Sequence, residues 1–538
     1  MVDYKGIVVL EGDSMLLKHK ITVDKCKEII VLLIMAVFMM SFIWYQYDVI
    51  ASRSYGNLDP VALARRFLVI AIVATVGVFI SYIWIVKKRA SINRVYAFIV
   101  IALGLAYMVI FLPYTVPDEP HHYFEAFGLS NYFTFNFEQA NAEFVMLRQS
   151  DIEWYQSTYS NTQSAEHFYQ IQKSIELFSD NNTLVEFELH KMVGSSNAPF
   201  GYVFSAIGIA VARVFNLSPI ITFYFGRVFN LVSYTIMGLL AIRKIPYGKM
   251  AILVISALPM SLHLIASYSY DAQIVAFVML FVAQVLYMKE KKDNITLKDI
   301  ILCTILGMLV APSKLVYLPV VLLVFIIPKE KFGALSSKAF LIKAGIFTVS
   351  LVFLLLLQLK SFVSTASNPA ISWSEEDARS LSWIIAHPID TVKVFVDTLF
   401  YRGEFYLNSL VGYSLGWFQV VVPTYCYVPF FGFLAYSFMT RENEVSRVSF
   451  GDKIWSIILI IASFVLTLTS MLLAWTPKSY PTVEGVQGRY FIPLLVLLIP
   501  ILRNKFITVK SSADKYMTFI LIYWNLFVGI QFFVKSFV

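Results

Sequence analysis

Long uncharged stretches, separated by small clusters of lysine and arginine, run through most of the chain. The first three, residues 29–47, 67–86 and 95–114, are each about as long as a helix that crosses a hydrocarbon core of about 30 Å. Further apolar segments follow at residues 198–242, 250–270, 272–288, 297–328, 344–359, 415–439, 454–476, 490–502 and 516–534. With 297–328 taken as a hairpin of two spans, the pattern predicts an all-α polytopic membrane protein with about thirteen transmembrane helices.

Residues 198–242 depart from this simple pattern, because Arg213 and Arg227 divide them into three short apolar runs. Two full crossings here would place Arg243 and Lys244 outside, whereas lysine and arginine favour cytoplasmic loops. One net crossing with an additional re-entrant or tilted piece keeps both residues inside. We therefore expect an interrupted helix of the kind that lines a protein-walled cavity.

The basic clusters also predict on which side of the membrane each segment lies. Lysines precede the first span and basic residues follow the second, which places the N-terminus inside a multi-pass protein of the plasma membrane. The resulting regions are a cytoplasmic segment 1–27, three transmembrane helices within 28–116, an acidic extracytoplasmic loop 117–197, a transmembrane core 198–361, an extracytoplasmic loop 362–414 and C-terminal transmembrane helices 415–538.

The amino-acid composition excludes several other classes of protein. Only 14% of the 538 residues are charged and 58% are hydrophobic, whereas soluble domains have roughly a quarter of charged residues. Three separate cysteines provide neither a disulfide framework nor a zinc site. Basic cytoplasmic loops explain the net charge of +8, so the expected partner is the lipid bilayer and not a nucleic acid.

The loop 117–197 contains the most candidate chemistry. It has twelve acidic residues against three basic ones, and Asp118, Glu119, His121 and His122 stand at its start. Repulsion between adjacent carboxylates tends to raise the pKa of one of them toward the range of a general base. The same side chains could instead hold a divalent cation such as Mg²⁺ or Mn²⁺. In a purely structural alternative, Asp118 caps a helix that begins near Glu119.

Two charged residues lie at span ends on the same predicted side. Asp271 ends the sequence Ser-Tyr-Ser-Tyr-Asp, where it either caps the next span or adds a second carboxylate to a cavity. Lys314 stands between two apolar runs of 14 residues each. It either extends to the lipid headgroups or binds a phosphate group.

A glycine-containing segment close to the last apolar runs provides the third group of candidates. Its glycines allow the backbone to approach a ligand closely, and an arginine suits bidentate binding of phosphate. The alternative is an ordinary interfacial anchor of arginine beside tyrosine. The candidate substrate- or phosphate-binding residues are therefore Asp271, Lys314, Gln487, Arg489 and Tyr490.

Several of these motifs occur together in an order that resembles one family. That family consists of uncharacterised, predicted multi-span bacterial membrane proteins and is named only as a domain of unknown function; the resemblance extends over about residues 95–502. Its layout is similar to that of the GT-C glycosyltransferases, which take a sugar from a polyprenyl-phosphate carrier at the outer face. The matching motifs are residues 117–121, the corner 267–271, Lys314 with Tyr317, the step 415–417, and residues 486–490 with Pro493.

The resemblance implies an inverting glycosyltransferase with its active site outside the bacterial cytoplasmic membrane. Asp118 or Glu119 would deprotonate the acceptor hydroxyl, and Asp271 would stand at the second acidic position of such enzymes. The donor would be a lipid-linked sugar, and the acceptor a cell-envelope glycan or a lipid-linked glycan. Three alternatives stay open. They are a flippase or exporter of lipid-linked saccharides, which needs no base, a polymerase or ligase of surface polysaccharide, and a non-catalytic membrane scaffold.

Overall fold

The computed structural model describes residues 11–56, 58–191, 199–367, 371, 373–444, 448–504 and 506–537. The chain divides into two compact units, the first ending at Ile80 and the second comprising Ser81–Phe537. The first unit contains α1 (Glu11–Ala51) and most of α2 (Pro60–Tyr82). Large apolar side chains such as Ile34 and Val73 are exposed on these helices, as expected where a helix faces lipid.

The second unit is mostly helical. Its helices are α3 (Ile92–Ile110), α4 (Glu119–Phe133), α5 (Phe137–Ala140), α6 (Gln149–Thr158), α7 (Ala165–Lys173), α8 (Val203–Val214), α9 (Pro219–Lys244), α10 (Lys249–Ser256), α11 (Pro259–Ile265), α12 (Asp271–Glu290), α13 (Leu297–Ser313), α14 (Leu318–Val321), α15 (Ala339–Ser367), α16 (Leu381–Ala386), α17 (Pro388–Val411), α18 (Thr424–Phe438), α19 (Phe450–Ala474), α20 (Ile492–Leu495), α21 (Leu498–Ile501) and α22 (Asp514–Phe537). A π-helical turn, Ile83–Lys87, follows α2, and short 3₁₀ segments include Leu315–Tyr317, Leu322–Ile326 and Gly488–Phe491.

The structure also contains short β-strands, so the fold is mostly helical and not purely α-helical as the sequence predicts. They pair in three two-stranded sheets within the described part of the chain. The strands are β1 (Phe144–Arg148), antiparallel to β2 (Leu184–Lys191), β3 (Ser414–Leu415), antiparallel to β4 (Val420–Val421), and β5 (Thr440–Arg441), parallel to β6 (Thr508–Val509).

Eight helices of the described residues are long and apolar enough to cross a membrane. They are Lys25–Ala51, Pro60–Lys87, Ile92–Ile110, Pro219–Lys244, Asp271–Glu290, Lys329–Leu359, Phe450–Ala474 and Ser511–Phe537. The predicted total of about thirteen is therefore not confirmed.

The other predicted spans fold as shorter helical pieces. Residues 250–270 form α10 and α11, and α13 has 17 residues and α18 has 15. Proline explains part of this difference, because it lacks the N–H that a helix interior needs. Pro259 starts α11, and Pro493 lies in the first turn of the short helix α20.

Residues 199–242 contain the short helix α8 and the long helix α9. Only α9 is long enough to span, so one crossing with one additional short piece agrees with the sequence prediction. The expected break at Arg227 is wrong, because α9 continues through it. The chain does break next to the other arginine, Arg213, because α8 ends at Val214 and residues 215–218 are not helical. Arg227 fits inside a helix because a buried carboxylate compensates its charge, as described below.

Local capping signals fix where several of these helices begin. Thr296 and Asp299 form a reciprocal capping box at the start of α13, and Ser449 and Asp452 form another at the start of α19. Helices α12 and α13 are consecutive, packed neighbours joined by a short connection. The first residue of α12 and the residue after α13 therefore lie at the same end of this helix pair.

The acidic region after α3 folds into a lobe that packs on α8 and α9. An aromatic core joins the lobe to these helices and includes Tyr114, Tyr123 and Trp154 together with Phe223 of α9. A buried ion pair between Arg148 Nε and Asp151 Oδ2, 2.5 Å apart, lies beside this core, and Tyr123 donates a hydrogen bond to Asp151. The predicted end of the loop, residues 192–197, lies outside the described residues.

Candidate functional site

Three charged side chains from distant parts of the sequence meet at one end of the helices. Asp271 is the first residue of α12, Lys314 follows α13, and Arg489 lies in the 3₁₀ turn Gly488–Phe491. Lys314 Nζ donates to Asp271 Oδ1 at 2.7 Å, and Arg489 Nε lies 3.4 Å from Asp271 Oδ2. One buried carboxylate thus holds two cations beside each other, and the cluster has an excess of positive charge.

Aromatic rings surround this cluster. Lys314 Nζ lies 4.2 Å from the centre of the Tyr490 ring and 4.9 Å from that of Tyr270. Tyr317 donates a hydrogen bond to the Tyr490 carbonyl at 2.7 Å, which joins the segment after α13 to the 488–491 turn. Cation–π contacts of this kind stabilise a desolvated ammonium group.

Asp118 reaches the same cluster from the start of the acidic lobe. It occupies the N-cap position of α4, but its side chain makes no capping hydrogen bond. Its backbone is left-handed, with φ of 60°, which is uncommon for a residue other than glycine. The carboxylate is 56% exposed and lies 3.9 Å from Arg489. Asp118 is therefore an accessible acid in a strained conformation at the edge of a cationic site.

Glu119 has a very different environment from its neighbour. Its side chain is fully buried and forms an ion pair of 2.6 Å with Arg227 of α9. Its carboxylate oxygens accept two hydrogen bonds from Arg227 and two from the backbone N–H groups of Tyr114 and Tyr268. Glu119 therefore joins the end of α3, helix α9 and the corner before α12, and its lone pairs are engaged within the protein.

The two histidines after this pair lie near the cluster. His122 Nδ1 is 2.8 Å from the Tyr202 hydroxyl, and the His122 ring meets the Tyr270 ring edge to face. Burial lowers the pKa of His122 to about 3, with a further contribution from His121, so the imidazole is neutral at pH 7.

The sequence predicts a divalent-cation site at Asp118, Glu119, His121 and His122. Glu119 is saturated by four hydrogen bonds, and His122 Nδ1 is engaged with Tyr202. No group of three or more acidic, histidine or cysteine side chains among the described residues is arranged to hold a metal ion. The donor set at this position therefore does not fit a resident Mg²⁺ or Mn²⁺ ion.

The segment that presents Arg489 packs tightly on α17. A Cβ atom at Gly488 would lie 2.2 Å from the Tyr406 carbonyl oxygen and 2.3 Å from the Leu410 nitrogen, so only glycine fits there. The Gly488 N–H also donates to the Ser409 hydroxyl at 3.0 Å. Beside it, Gln487 Oε1 is buried without a hydrogen-bond partner among the described residues. The 487–490 turn is thus fixed in place and keeps one unused acceptor.

Sequence reasoning missed three residues that shape this site. In the sequence Arg227 stands out only as an interruption of an apolar run, although in the structure it is the ion-pair partner of Glu119. Tyr270 lies in the motif that ends at Asp271, for which the sequence predicts a role of Asp271 alone. Nothing in the sequence predicts that Tyr202 contacts Tyr270. An unexplained arginine in an apolar helix was the available clue for the first, since such a charge requires a partner.

The fold and this site define a polytopic, mostly helical membrane protein with a cationic, aromatic-lined cluster at the ends of its helices. The chain belongs to the predicted membrane protein family DUF2142, which it matches over residues 98–498. This range contains every residue of the cluster described above. No curated protein and no solved structure matches the chain.

Proposed function

We propose that this protein is a membrane glycosyltransferase that moves a sugar from a polyprenyl-phosphate donor to a cell-envelope or lipid-linked acceptor. The observation that carries the proposal is the juxtaposition of an accessible carboxylate, Asp118, with two cations, Lys314 and Arg489. A similarity in layout to the GT-C enzymes, with about thirteen membrane crossings in all, belongs to the same proposal.

The cations suit the leaving group of such a reaction. When the bond between the anomeric carbon and the phosphate oxygen breaks, the electron pair leaves with the lipid phosphate, whose negative charge needs compensation. Lys314 and Arg489 would supply it. Arg489 is well placed for this task, because its Nε makes only a charge contact with Asp271 and no hydrogen bond among the described residues.

Asp118 is the better of the two candidate bases. In the proposed step its carboxylate takes the proton of the acceptor hydroxyl while the acceptor oxygen bonds to the anomeric carbon, opposite the departing phosphate, so the configuration inverts. Glu119 is fully buried and bonded on both oxygens, so it has no position for an acceptor. We therefore assign Glu119 to support of the site. Tyr270, Gln487 and Tyr490 would contact the sugar or the phosphate.

The distribution of basic residues supports an extracytoplasmic position for this site. Arg243 and Lys244 end α9, Lys249 starts α10, and Lys289 and Lys291 lie at the far end of α12. These cations lie at the helix ends opposite Asp271, where the positive-inside rule expects the cytoplasm. The site would then face outward in a bacterial cytoplasmic membrane, where polyprenyl-phosphate sugars are used for the cell envelope.

The test is the sugar composition of the surface glycans in a deletion strain complemented with variants. Wild type should restore a sugar that the deletion removes. Asp118→Asn should lower its transfer by about 10²- to 10⁴-fold, the usual contribution of a positioned base. Asp180→Asn, an exposed acid of the same lobe, is the matched control and should restore fully.

Membrane levels of each variant are measured in parallel. Full restoration by Asp118→Asn at normal protein level would refute the proposal. That result would favour a flippase or a polymerase, because neither needs a base at this position.

A further inference from the structure

A cavity of about 420 Å³ lies at the opposite helix ends, away from the candidate site. Its walls come from the turn after the π-helical segment, from the starts of α3 and α10, and from the start of α22. Apolar side chains such as Val95 and Leu253 form one part of the lining, and charged and hydroxyl groups form the other. A cavity of this size accommodates a phosphorylated headgroup.

Some of the charges in this lining are already compensated. Arg441 forms an ion pair of 3.0 Å with Asp514 and donates to main-chain carbonyls at the end of α18. Glu444 pairs with Arg503 at 2.6 Å and accepts the Gly248 N–H at 3.0 Å. Both carboxylates of the lining are therefore already paired with an arginine.

Three further cations of the lining have no such partner. No described carboxylate lies within ion-pair distance of Arg89, Lys249 or Lys515. Arg89 also has a left-handed backbone, with φ of 48°, which costs conformational energy in a residue other than glycine. Uncompensated like charges in one cavity repel each other, so an anion that joins them is favourable.

We propose that this cavity binds a phosphate group, in the form of an anionic phospholipid headgroup, through Arg89, Lys249 and Lys515. The apolar lining offers contact to the glycerol and the first part of the acyl chains. The proposal is independent of the proposed transferase activity, because it concerns the other end of the helices and none of the residues assigned to catalysis.

The experiment measures binding to the purified full-length protein in detergent by native mass spectrometry. Phosphatidylglycerol, phosphatidylcholine and inorganic phosphate are titrated separately. We expect phosphatidylglycerol to bind more tightly than phosphatidylcholine, and each cation removed to weaken that preference about fivefold. Lys249→Gln with Lys515→Gln should therefore lower it by about 25-fold.

Lys298→Gln is the matched control, because this exposed lysine at the start of α13 is not part of the cavity lining. Equal affinity for the two lipids, or equal effects of the control and the double variant, would overturn the proposal. If inorganic phosphate saturates the same residues and the lipid binds no more tightly, the proposal that the ligand is a phospholipid would be refuted. If the double variant does not fold, equal binding of the two lipids to the wild-type protein would still refute the proposal.

Discussion

Replacing Glu119 by glutamine should destabilise the protein strongly, although the change removes one charge and hardly alters the size of the side chain. The carboxylate accepts four hydrogen bonds at 2.6 to 3.2 Å, two of them from Arg227. Both side chains are 0% exposed. A neutral amide cannot compensate the guanidinium, and its NH₂ group faces donors instead of acceptors.

The expected magnitude follows from that burial. Breaking a buried ion pair by removing one partner costs about 3–5 kcal/mol, because the other charge is left uncompensated. Arg227 also donates to the carbonyls of Phe111 and Leu112, so it cannot move to water without breaking these bonds. The double variant Glu119→Gln with Arg227→Met removes the lone charge and should recover part of the loss.

Asp118 is the natural control for this experiment. It is adjacent in sequence but 56% exposed, and asparagine accepts a left-handed backbone as readily as aspartate does. Asp118→Asn should change the unfolding free energy by only about 0.5 kcal/mol. Reversible unfolding in mixed micelles, followed by tryptophan fluorescence, measures both variants. Glu119→Gln within about 1 kcal/mol of wild type would refute the structural role of the buried pair.

Two further predictions concern the 488–491 turn and the acidic lobe. Gly488→Ala should displace this turn, because its Cβ would lie 2.2 Å from the Tyr406 carbonyl oxygen. We expect a loss of about 1–3 kcal/mol in the same unfolding assay, together with loss of function, and unchanged stability would contradict the tight packing. Burial lowers the pKa of His167 to about 4 from 6.5, so folding favours the neutral ring and stability decreases as the pH falls from 7 toward 4. The loss between pH 7 and pH 5 is about 2 kcal/mol, and His167→Gln should remove that part of the pH dependence in thermal unfolding curves.

The sequence is sufficient to predict that two of the site residues lie at the same helix ends. Counting crossings and basic loops predicted that Asp271 and Lys314 lie at the same helix ends, and the ion pair of 2.7 Å confirms that they meet. Each crossing reverses the chain, so approximate span lengths are enough to assign two residues to the same helix ends. The side of the membrane stays a prediction, since it depends on the distribution of basic loops alone.

Other features depend on contacts between distant residues and could not be predicted. Asp118 and Glu119 are adjacent and chemically similar, yet their environments differ because Arg227, 108 residues away from Glu119, forms its ion pair with Glu119. The predicted lengths of several helices are wrong for a related reason. A proline-containing stretch such as 250–270 has the length and composition of a full span. In the structure it forms two short helices, because the neighbouring helices bury backbone groups that would be unsatisfied in lipid.

The most direct test of the central claim is the release of lipid phosphate by the purified protein. Wild type is incubated with a panel of polyprenyl-phosphate sugars and with envelope material from the deletion strain as acceptor, and mass spectrometry follows the lipid products. We expect free polyprenyl phosphate to appear in step with sugar incorporation, and Asp118→Asn to form almost none while remaining folded. Absence of release by wild type with every donor, or equal release by Asp118→Asn, would contradict that claim.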